Sequence, residues 1–200
     1  MAQRKIVTTD DNNPVLRQKA RKVHHFDASL KRLVDDMFET LYANDGAGLA
    51  APQIGQSIRL FVVDDDEHKF AMFNPEIVKA EGAVLGTEAC LSIPGFAGEN
   101  VSRAEKIVVK GQDVRGKNMR VNAEGWFARI LQHEIDHLDG ILFPDRLSTP
   151  DDLFRVREMD ENEAQQAAER RIQRQQRGPK DTKDTKDTRD VKATKAATSR

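Results

Sequence analysis

Residues 125–143 read GWFARILQHEIDHLDGILF, and this stretch decides how the chain folds. Apolar residues recur in it with a helical period, which predicts a helix from Gly125 to Leu138 that ends at the glycine of the following DG pair. The helix contains the pattern H-E-x-x-H at His133, Glu134 and His137. Residues four apart lie on one helical face, so both imidazoles can bind the same metal ion.

Two histidines do not complete a catalytic metal site, which normally has three protein ligands and one open position. One class of metalloprotease supplies a third histidine six residues after the second, but Phe143 occupies that position here. A downstream carboxylate is an alternative, and Glu158, Glu161 and Glu163 are the candidates. They lie in a polar stretch that has little to anchor it to a core.

The only cysteine, Cys90, is the preferred third ligand. It lies in GTEACLSIPGF (residues 86–96), an apolar stretch bounded by glycines and a proline, where a loop can approach another element closely. A lone cysteine is often only a small buried hydrophobe, but a ligand is favoured in a chain that has H-E-x-x-H and no third histidine near it. A divalent ion in such a site lowers the pKa of water toward neutrality. Glu134 is then placed to take the proton and pass it to a leaving amine.

The rest of the pattern predicts an α+β fold, with small antiparallel sheets packed around the central helix that carries H-E-x-x-H. A first helix is expected after the candidate N-cap Asp27, and it should stop at the turn signal Asn44-Asp45-Gly46. Asn74-Pro75 is predicted to be a break. The predicted strands are residues 58–63, 70–73, part of 77–84, and a hairpin formed by 106–110 and 119–121.

Composition divides the chain into three parts. Residues 1–150 are predicted to form the catalytic domain, 151–177 a C-terminal helix, and 178–200 a disordered, repetitive and basic tail. Residues 169–200 contain 11 Lys or Arg against 5 Asp or Glu, so the remainder carries a net charge of −7 within a total of −1. This near-neutral total excludes a field over the whole chain that would attract nucleic acid or an anionic membrane.

The sequence also indicates where the protein acts. One cysteine cannot form an intrachain disulfide, so the fold does not depend on an oxidising compartment. The N-terminal residues lack the apolar segment of a signal peptide, and no stretch is apolar for long enough to span a bilayer. We therefore expect a cytoplasmic protein without a membrane partner.

Three motifs resemble those of the peptide deformylase family, the enzymes that remove the formyl group from the N-terminus of new bacterial and organellar proteins. In the family's order they are GAGLAAPQ at residues 46–53, EACLS at 88–92 and QHEIDH at 132–137. The resemblance covers roughly residues 5–150. It implies that the substrate is the N-formylmethionyl end of a nascent peptide. We also expect the chain to be a monomer.

The resemblance also implies the metal chemistry. Cys90, His133 and His137 would bind one divalent ion, which in the family is most often Fe²⁺, with Zn²⁺, Ni²⁺ or Co²⁺ able to take its place. Glu134 would act as the general base and acid.

The remaining motif residues would bind the substrate. The resemblance implies that the Gln53 side chain and the Leu91 backbone N–H stabilise the oxyanion. It further implies that the substrate peptide pairs as an extra strand with the backbone of Ala47, Gly48 and Ala89. Its methionine side chain would enter an apolar pocket lined by Gly48, Trp126, Arg129 (through its aliphatic stem), Ile130 and His133.

One position departs from the family pattern, because Ala89 stands where glycine is usual. Alanine retains the backbone donor and acceptor, so we expect a modest effect on the substrate strand. A positive φ at this position would make the motif strained.

Two other functions are compatible with parts of the pattern. A zinc endopeptidase would require a downstream ligand, and Phe143 argues against it. A non-catalytic, metal-stabilised module that binds the ribosome would have no need of Glu134 or Gln53. The positive tail is a candidate for contact with ribosomal RNA, and its alternative is a solvated tail without a partner.

Overall fold

The computed structural model describes residues 2–156. Within these residues the chain forms two α-helices and eight β-strands. The helices are Ala28–Ala43 (α1) and Gly125–Leu138 (α2). The strands are Gly48–Ala50 (β1), Leu60–Asp64 (β2), Lys69–Glu81 (β3), Val84–Ala89 (β4), Phe96–Arg103 (β5), Lys106–Gln112 (β6), Asn118–Glu124 (β7) and Leu153–Arg155 (β8).

The strands form two antiparallel sheets around α2. One has the order β1-β2-β3-β6-β7, and the other has the order β4-β5-β8. The predicted α+β fold with small antiparallel sheets and a central helix is therefore confirmed. Neither helix within residues 2–156 is both long and apolar enough to cross a membrane.

β2 lies between the two helices, and its residues are buried on both faces of the sheet. Alternate residues of a strand point to opposite faces. Phe61 and Val63 accordingly pack with α2, whereas Leu60 and Val62 pack with α1. The α2 residues in this core are Phe127, Ala128, Ile130, Leu131, Ile135 and Leu138. This packing fixes the rotation of α2 about its axis, and with it the direction in which the histidines project.

Local signals in the sequence explain where both helices begin and end. The carboxylate of Asp27 accepts hydrogen bonds from the backbone N–H groups of Ser29 and Leu30, as an N-cap should. α1 ends at Ala43, and its C-cap Asn44 begins the predicted turn. α2 has the predicted bounds, and Gly140 follows it with a φ of 75°, in the left-handed region that glycine favours.

The break predicted at Asn74-Pro75 is wrong, because β3 runs through both residues. The pairing of β3 with β6 shifts register there, between Phe73 and Glu76. Asn74 has a φ of 49°, and its side chain replaces lost backbone pairing by bonding both the N–H and the carbonyl of Val23, at 2.8 and 2.7 Å. The turn-forming pair therefore makes a β-bulge inside the strand.

The helix predicted over residues 151–177 does not start where expected. Leu153–Arg155 form β8, which pairs with β5 at Phe96–Gly98. An exposed strand of three residues is difficult to detect in a polar stretch. The rest of the predicted helix and the predicted disordered tail, residues 157–200, lie outside the described residues.

The C-terminal end of α2 is held by Arg59, whose side chain is only 9% exposed. Its Nη1 donates to the carbonyl of Leu138 at 3.2 Å and to Asp139 Oδ1 at 2.7 Å, and its Nη2 donates to the carbonyl of Pro75 at 3.2 Å. A cation at this end also complements the helix dipole. Arg59 thus fixes the last turn of the helix, which carries His137.

Replacement of Arg59 by Met should lower the free energy of unfolding by about 2–3 kcal/mol, since buried acceptors lose a charged donor. Urea denaturation measures the change. Lys19→Met is a matched control, because Lys19 Nζ lies 3.7 Å from the same Asp139 carboxylate but its side chain is 77% exposed. We expect the control to change stability by less than about 0.5 kcal/mol. Equal losses in the two variants would contradict a specific role for Arg59.

Candidate active site

The structure brings the three predicted metal ligands together. Cys90 follows β4, and His133 and His137 project from α2. One ligand atom from each residue lies within 4.8 Å of the other two, and Cys90 Sγ is 3.2 Å from His137 Nε2. Within residues 2–156 this is the only such group of histidine, cysteine or acidic side chains. The alternative ligands Glu158, Glu161 and Glu163 lie outside the described residues.

This donor set fits a divalent transition-metal ion. One sulfur and two imidazole nitrogens are three protein ligands of the types that such ions prefer, and three is the number usual in catalytic sites. Burial by itself would raise the pKa of the Cys90 thiol, but the adjacent imidazoles of His137 and His133 hold that pKa well below its usual range. The thiolate, which is the metal-binding form, is therefore favoured.

The orientation of His133 is set by a carboxylate. His133 Nδ1 lies 2.8 Å from Glu88 Oε2, so Nδ1 donates to this carboxylate and Nε2 is the ring nitrogen left for a metal ion. His137 differs, because its Nδ1 is buried and has no hydrogen-bond partner within residues 2–156. Its ring is held by packing and by the contact with Cys90.

Glu134 directly follows His133 on α2 and is buried. Its Oε1 lies against Gly48 of β1, so close that a Cβ built on Gly48 would be 2.4 Å away. Its Oε2 is buried without a hydrogen-bond partner among the described residues. Burial raises the pKa of Glu134 to about 7, although the imidazoles of His133 and His137 oppose this increase. Such a carboxyl group can both accept and return a proton near neutral pH.

Replacement of Gly48 by Ala should displace the Glu134 carboxylate. The turnover of the hydrolysis expected from the sequence should then fall by about 100-fold, because a catalytic group is misplaced. Metal content should be unchanged, because the ligands are not touched. Steady-state kinetics and metal analysis of the same preparation measure both quantities.

Gly95→Ala is the control for the Gly48 substitution. Gly95 has a φ of 77°, so alanine is strained there and costs about 1 kcal/mol of stability, but its Cβ would meet no described atom within 4 Å. The control should retain turnover. Full turnover in Gly48→Ala would contradict the close approach of β1 to Glu134.

Gln53 belongs to the 3-10 helix Ala51–Ile54 and lies beside Cys90. A backbone N–H orients its side-chain amide. Gln53 Oε1 accepts a hydrogen bond from the N–H of Ala50 at 2.8 Å. Gln53 Nε2 is thereby directed toward Cys90 Sγ at 3.5 Å and Ser92 Oγ at 3.4 Å. Leu91 lies in the turn between these last two residues. Both predicted oxyanion donors are therefore adjacent to the cysteine.

The three residues predicted to pair with the substrate backbone lie at or next to edge strands. Gly48 belongs to β1, the edge of the larger sheet, and Ala89 ends β4, the edge of the smaller one. Ala47 directly precedes β1, and its carbonyl accepts a hydrogen bond from Asp64 N–H at 2.9 Å. Ala89 does not have a positive φ, so the strain considered for alanine at this position does not arise.

The residues predicted to line an apolar pocket have different environments. Ile130 is buried in the core with Phe127 and Leu131. Trp126, in contrast, is 62% exposed at the start of α2.

Arg129 is buried, and its guanidinium binds the smaller sheet. Nη1 donates to Glu88 Oε1 at 2.8 Å and to the Val101 carbonyl at 3.0 Å, while Nη2 donates to the Val84 carbonyl at 3.0 Å. The absence of a side chain at Gly86 makes room, since a Cβ there would lie 2.8 Å from Arg129 Cζ. The polar end of Arg129 thus joins α2 to β4 and β5.

Sequence reasoning missed two buried charged residues, Glu88 and Arg103. Arg103 donates to both carboxylate oxygens of Glu88, at 2.8 Å each, and to Asp136 Oδ2 at 2.5 Å. Burial alone would raise the pKa of Glu88, but Arg103 and His133 hold it well below its usual range. The signal was present, because a carboxylate in an apolar stretch requires a charged partner. The sequence alone does not identify that partner.

Comparison with known proteins places the chain in a family. A family model described as polypeptide deformylase matches residues 3–152. The chain belongs to the polypeptide deformylase family.

Individual members of the deformylase family agree with this assignment. The chain is 56% identical over 135 residues to the peptide deformylase of Symbiobacterium thermophilum, an alignment that covers 66% of this chain and 62% of that relative. It is 51% identical over 150 residues to the peptide deformylase of Dehalococcoides mccartyi, covering 74% of this chain and 89% of the relative.

Solved structures of deformylases share the fold. The crystal structure of a peptide deformylase from Legionella pneumophila aligns with a TM-score of 0.70 at 42% identity, covering 89% of this chain and 100% of that one. The peptide deformylase from Thermotoga maritima aligns with a TM-score of 0.71 at 42% identity, covering 74% and 100%.

Proposed function

We infer that this chain is a peptide deformylase, a metal-dependent hydrolase that removes the N-terminal formyl group from formyl-methionine of newly synthesised proteins and releases formate. Family membership supports the reaction. The observation that carries the inference is the cluster of Cys90, His133 and His137 beside the buried Glu134, whose Oε1 lies against the edge strand β1. The candidate hydrolytic site and an edge strand of the larger sheet thus adjoin.

The three clustered side chains would hold one divalent ion. When bound, the ion supplies Lewis-acid chemistry, polarising the formyl carbonyl and acidifying water. We propose Fe²⁺ as the native ion, with Zn²⁺, Ni²⁺ or Co²⁺ able to replace it, on the resemblance to the family and on a donor set of sulfur and imidazole. Metal analysis of anaerobically purified protein and inactivation by peroxide, expected for an iron–thiolate site, test the choice.

Glu134 moves the proton. Its carboxylate accepts a proton from the attacking water and later gives it to the amine nitrogen as the C–N bond breaks. The raised pKa of Glu134, about 7, suits both transfers. The orphaned Oε2 is the oxygen available for this exchange, because Oε1 lies against Gly48.

Gln53 Nε2 and the Leu91 N–H serve as donors to the carbonyl oxygen as it gains charge. The fixed amide of Gln53 supports this role, since a donor that is already oriented costs no reorganisation during the reaction. Removal of one such donor typically costs about 10²–10³-fold in turnover.

The substrate peptide pairs with the edge strands as an added strand, through the backbone of Ala47, Gly48 and Ala89. Sheet edges with free donors and acceptors bind extended peptides in this way. The methionine side chain occupies a pocket formed by Gly48, Trp126, Ile130, His133 and the aliphatic stem of Arg129. The Arg129 guanidinium is buried and bound to Glu88. This supports the use of the stem, because the charged end is fixed elsewhere and only the aliphatic part is left for the pocket.

The products released from a formylated and from an acetylated peptide test the proposed function. A formyl-Met tripeptide should yield formate and a free amine in equal amounts, whereas an acetylated peptide should be cleaved far more slowly, since its methyl group must fit where a hydrogen lies. An endopeptidase would instead release internal fragments, and a non-catalytic module would release nothing. Either of these results would refute the proposal.

We also propose that the chain acts as a monomer in the cytoplasm and contacts the ribosome through its C-terminal segment. The excess of six positive charges in residues 169–200 supports the contact, because ribosomal RNA is an anionic surface. Deletion of residues 170–200 should weaken ribosome binding at low salt. Unchanged affinity would exclude this segment as the contact.

A further inference from the structure

A continuous chain of ionic contacts runs from one metal-ligand candidate across the smaller sheet. His133 Nδ1 contacts Glu88, which is bound through both oxygens by Arg103. Arg103 Nη1 also donates to Asp136, and Asp136 in turn binds Arg146 at 2.6 and 3.0 Å. The proposed hydrolytic mechanism uses none of the last four residues.

Arg103 is the link between the two carboxylates. Its side chain is only 3% exposed, and it comes from β5, whereas Glu88 comes from β4 and Asp136 from α2. A planar guanidinium can bind two carboxylates at once because its five donors lie in fixed directions. Buried carboxylates are tolerated only when they are paired and hydrogen-bonded. Arg103, together with Arg129 of α2, therefore fixes the position of Glu88 relative to the helix.

The two histidines are supported unequally. Within residues 2–156, His137 Nδ1 has no hydrogen-bond partner, so Glu88 is the one carboxylate that orients an imidazole of the site. Partners of this kind set the ring orientation and the basicity of a ligating histidine. Any shift of Glu88 will thus be transmitted to His133 directly.

We propose that Arg103 is a positioning residue that sets the metal affinity of the site, by holding Glu88 against His133 and by joining Glu88 to Asp136 on the ligand-bearing helix. The inference rests on the metal centre proposed above. Arg103 touches neither the reacting atoms nor a ligand atom, so it acts through Glu88.

The expected effect is on metal binding. Arg103→Gln should raise the dissociation constant for Zn²⁺ or Co²⁺ by about 10–100-fold, the usual cost of losing a residue that supports a ligand. Arg103→Lys should recover only part of the loss, because an ammonium is a point charge without the fork that spans two carboxylates.

Arg146→Gln is the matched control. Arg146 binds the same carboxylate, Asp136, but its side chain is 42% exposed and lies at the outer end of the chain of contacts. Exposed ion pairs contribute little. We expect less than about a fivefold change in metal affinity.

Chelator competition with Co²⁺, well below the melting temperature of every variant, measures the dissociation constant, and the visible absorption of the cobalt protein reports its thiolate site. A purely structural role would lower the melting temperature and leave both readouts unchanged. Affinity in Arg103→Gln equal to that of Arg146→Gln would overturn the inference. Failure of the unsubstituted chain to bind one ion would instead overturn the metal centre itself.

Asp136→Asn provides a second test that does not depend on the folding of Arg103→Gln. Among the described residues its carboxylate forms hydrogen bonds and ion pairs only with Arg103 and Arg146, so a loss of metal affinity larger than that of Arg146→Gln is expected if Asp136 acts through Arg103. Such a loss supports the inference. The inference would be overturned if the folded Asp136→Asn and Arg103→Lys proteins both bound the metal ion as tightly as Arg146→Gln does.

Discussion

Replacement of Glu134 by Gln is expected to lower the rate of formate release from a formyl-Met peptide by about 10²–10⁴-fold. The substitution retains the size of the side chain but removes its ability to accept a proton. The carboxylate is buried, lies against Gly48 and is not one of the clustered ligand candidates, so metal content should be unchanged. A coupled assay for formate measures the rate, and elemental analysis measures the bound ion.

Glu124→Gln controls for the same chemical change just before α2. Glu124 precedes the helix, is exposed, and contacts Lys106 at the surface. Its replacement should leave turnover unchanged. A Glu134→Gln enzyme that works at the unsubstituted rate would exclude Glu134 as the proton carrier. Loss of metal together with activity would show that Glu134 maintains the site and would leave the chemistry to another group.

Replacement of Cys90 by Ser is expected to abolish stable metal binding, raising the dissociation constant by more than about 100-fold, and formate release should fall in proportion. The reason is that a thiolate is replaced by a neutral hydroxyl, a far weaker ligand, whereas even a change in a supporting residue costs about 10–100-fold. The pKa of Cys90 lies well below its usual range, so the native side chain is available as the thiolate. Metal analysis after gel filtration measures the loss.

Ser92→Ala is the matched control for Cys90→Ser, because Ser92 lies in the same turn and also contacts Gln53. This variant should retain one ion per chain. Unchanged metal content in Cys90→Ser would mean that a different residue completes the site, and the downstream candidates Glu158, Glu161 and Glu163 would then require testing.

The main helix was predictable residue by residue, because one strong period and one terminal glycine determine it. Gly125–Leu138 is apolar on the face that packs on the sheet, and Gly140 has the left-handed φ that a helix terminus requires. The hairpin of β6 and β7 was also predictable, since alternation and a turn that contains Asp113 and Gly116 specify it locally. Local signals were sufficient for these elements.

The continuity of β3 was not predicted, and neither were the strands β1, β4, β5 and β8, because distant contacts determine them. Asn74-Pro75 has the composition of a turn, yet the side chain of Asn74 bonds to Val23, far away in the sequence, and β3 continues. β8 exists because β5 offers it an edge. Local propensity cannot report either contact.

The site was predictable only where sequence motifs specify it. The residues of the three motifs were identified by type and order, and the structure brings Cys90 close to His133 and His137. The ionic chain through Arg103 was missed, because it joins residues from β4, β5 and α2 whose pairing no spacing rule describes. The role of the Arg129 guanidinium was missed in the same way, because its hydrogen bonds join α2 to two strands.

The most direct test of the account is a titration of the metal-free chain with a divalent ion, in which bound metal and the initial rate of formate release from a formyl-Met tripeptide are measured together. The rate should be negligible without metal, rise in proportion to the bound ion, and reach its maximum at one ion per chain. Formate release from the metal-free chain at the full rate would contradict the account, as would a fully loaded chain that releases no formate.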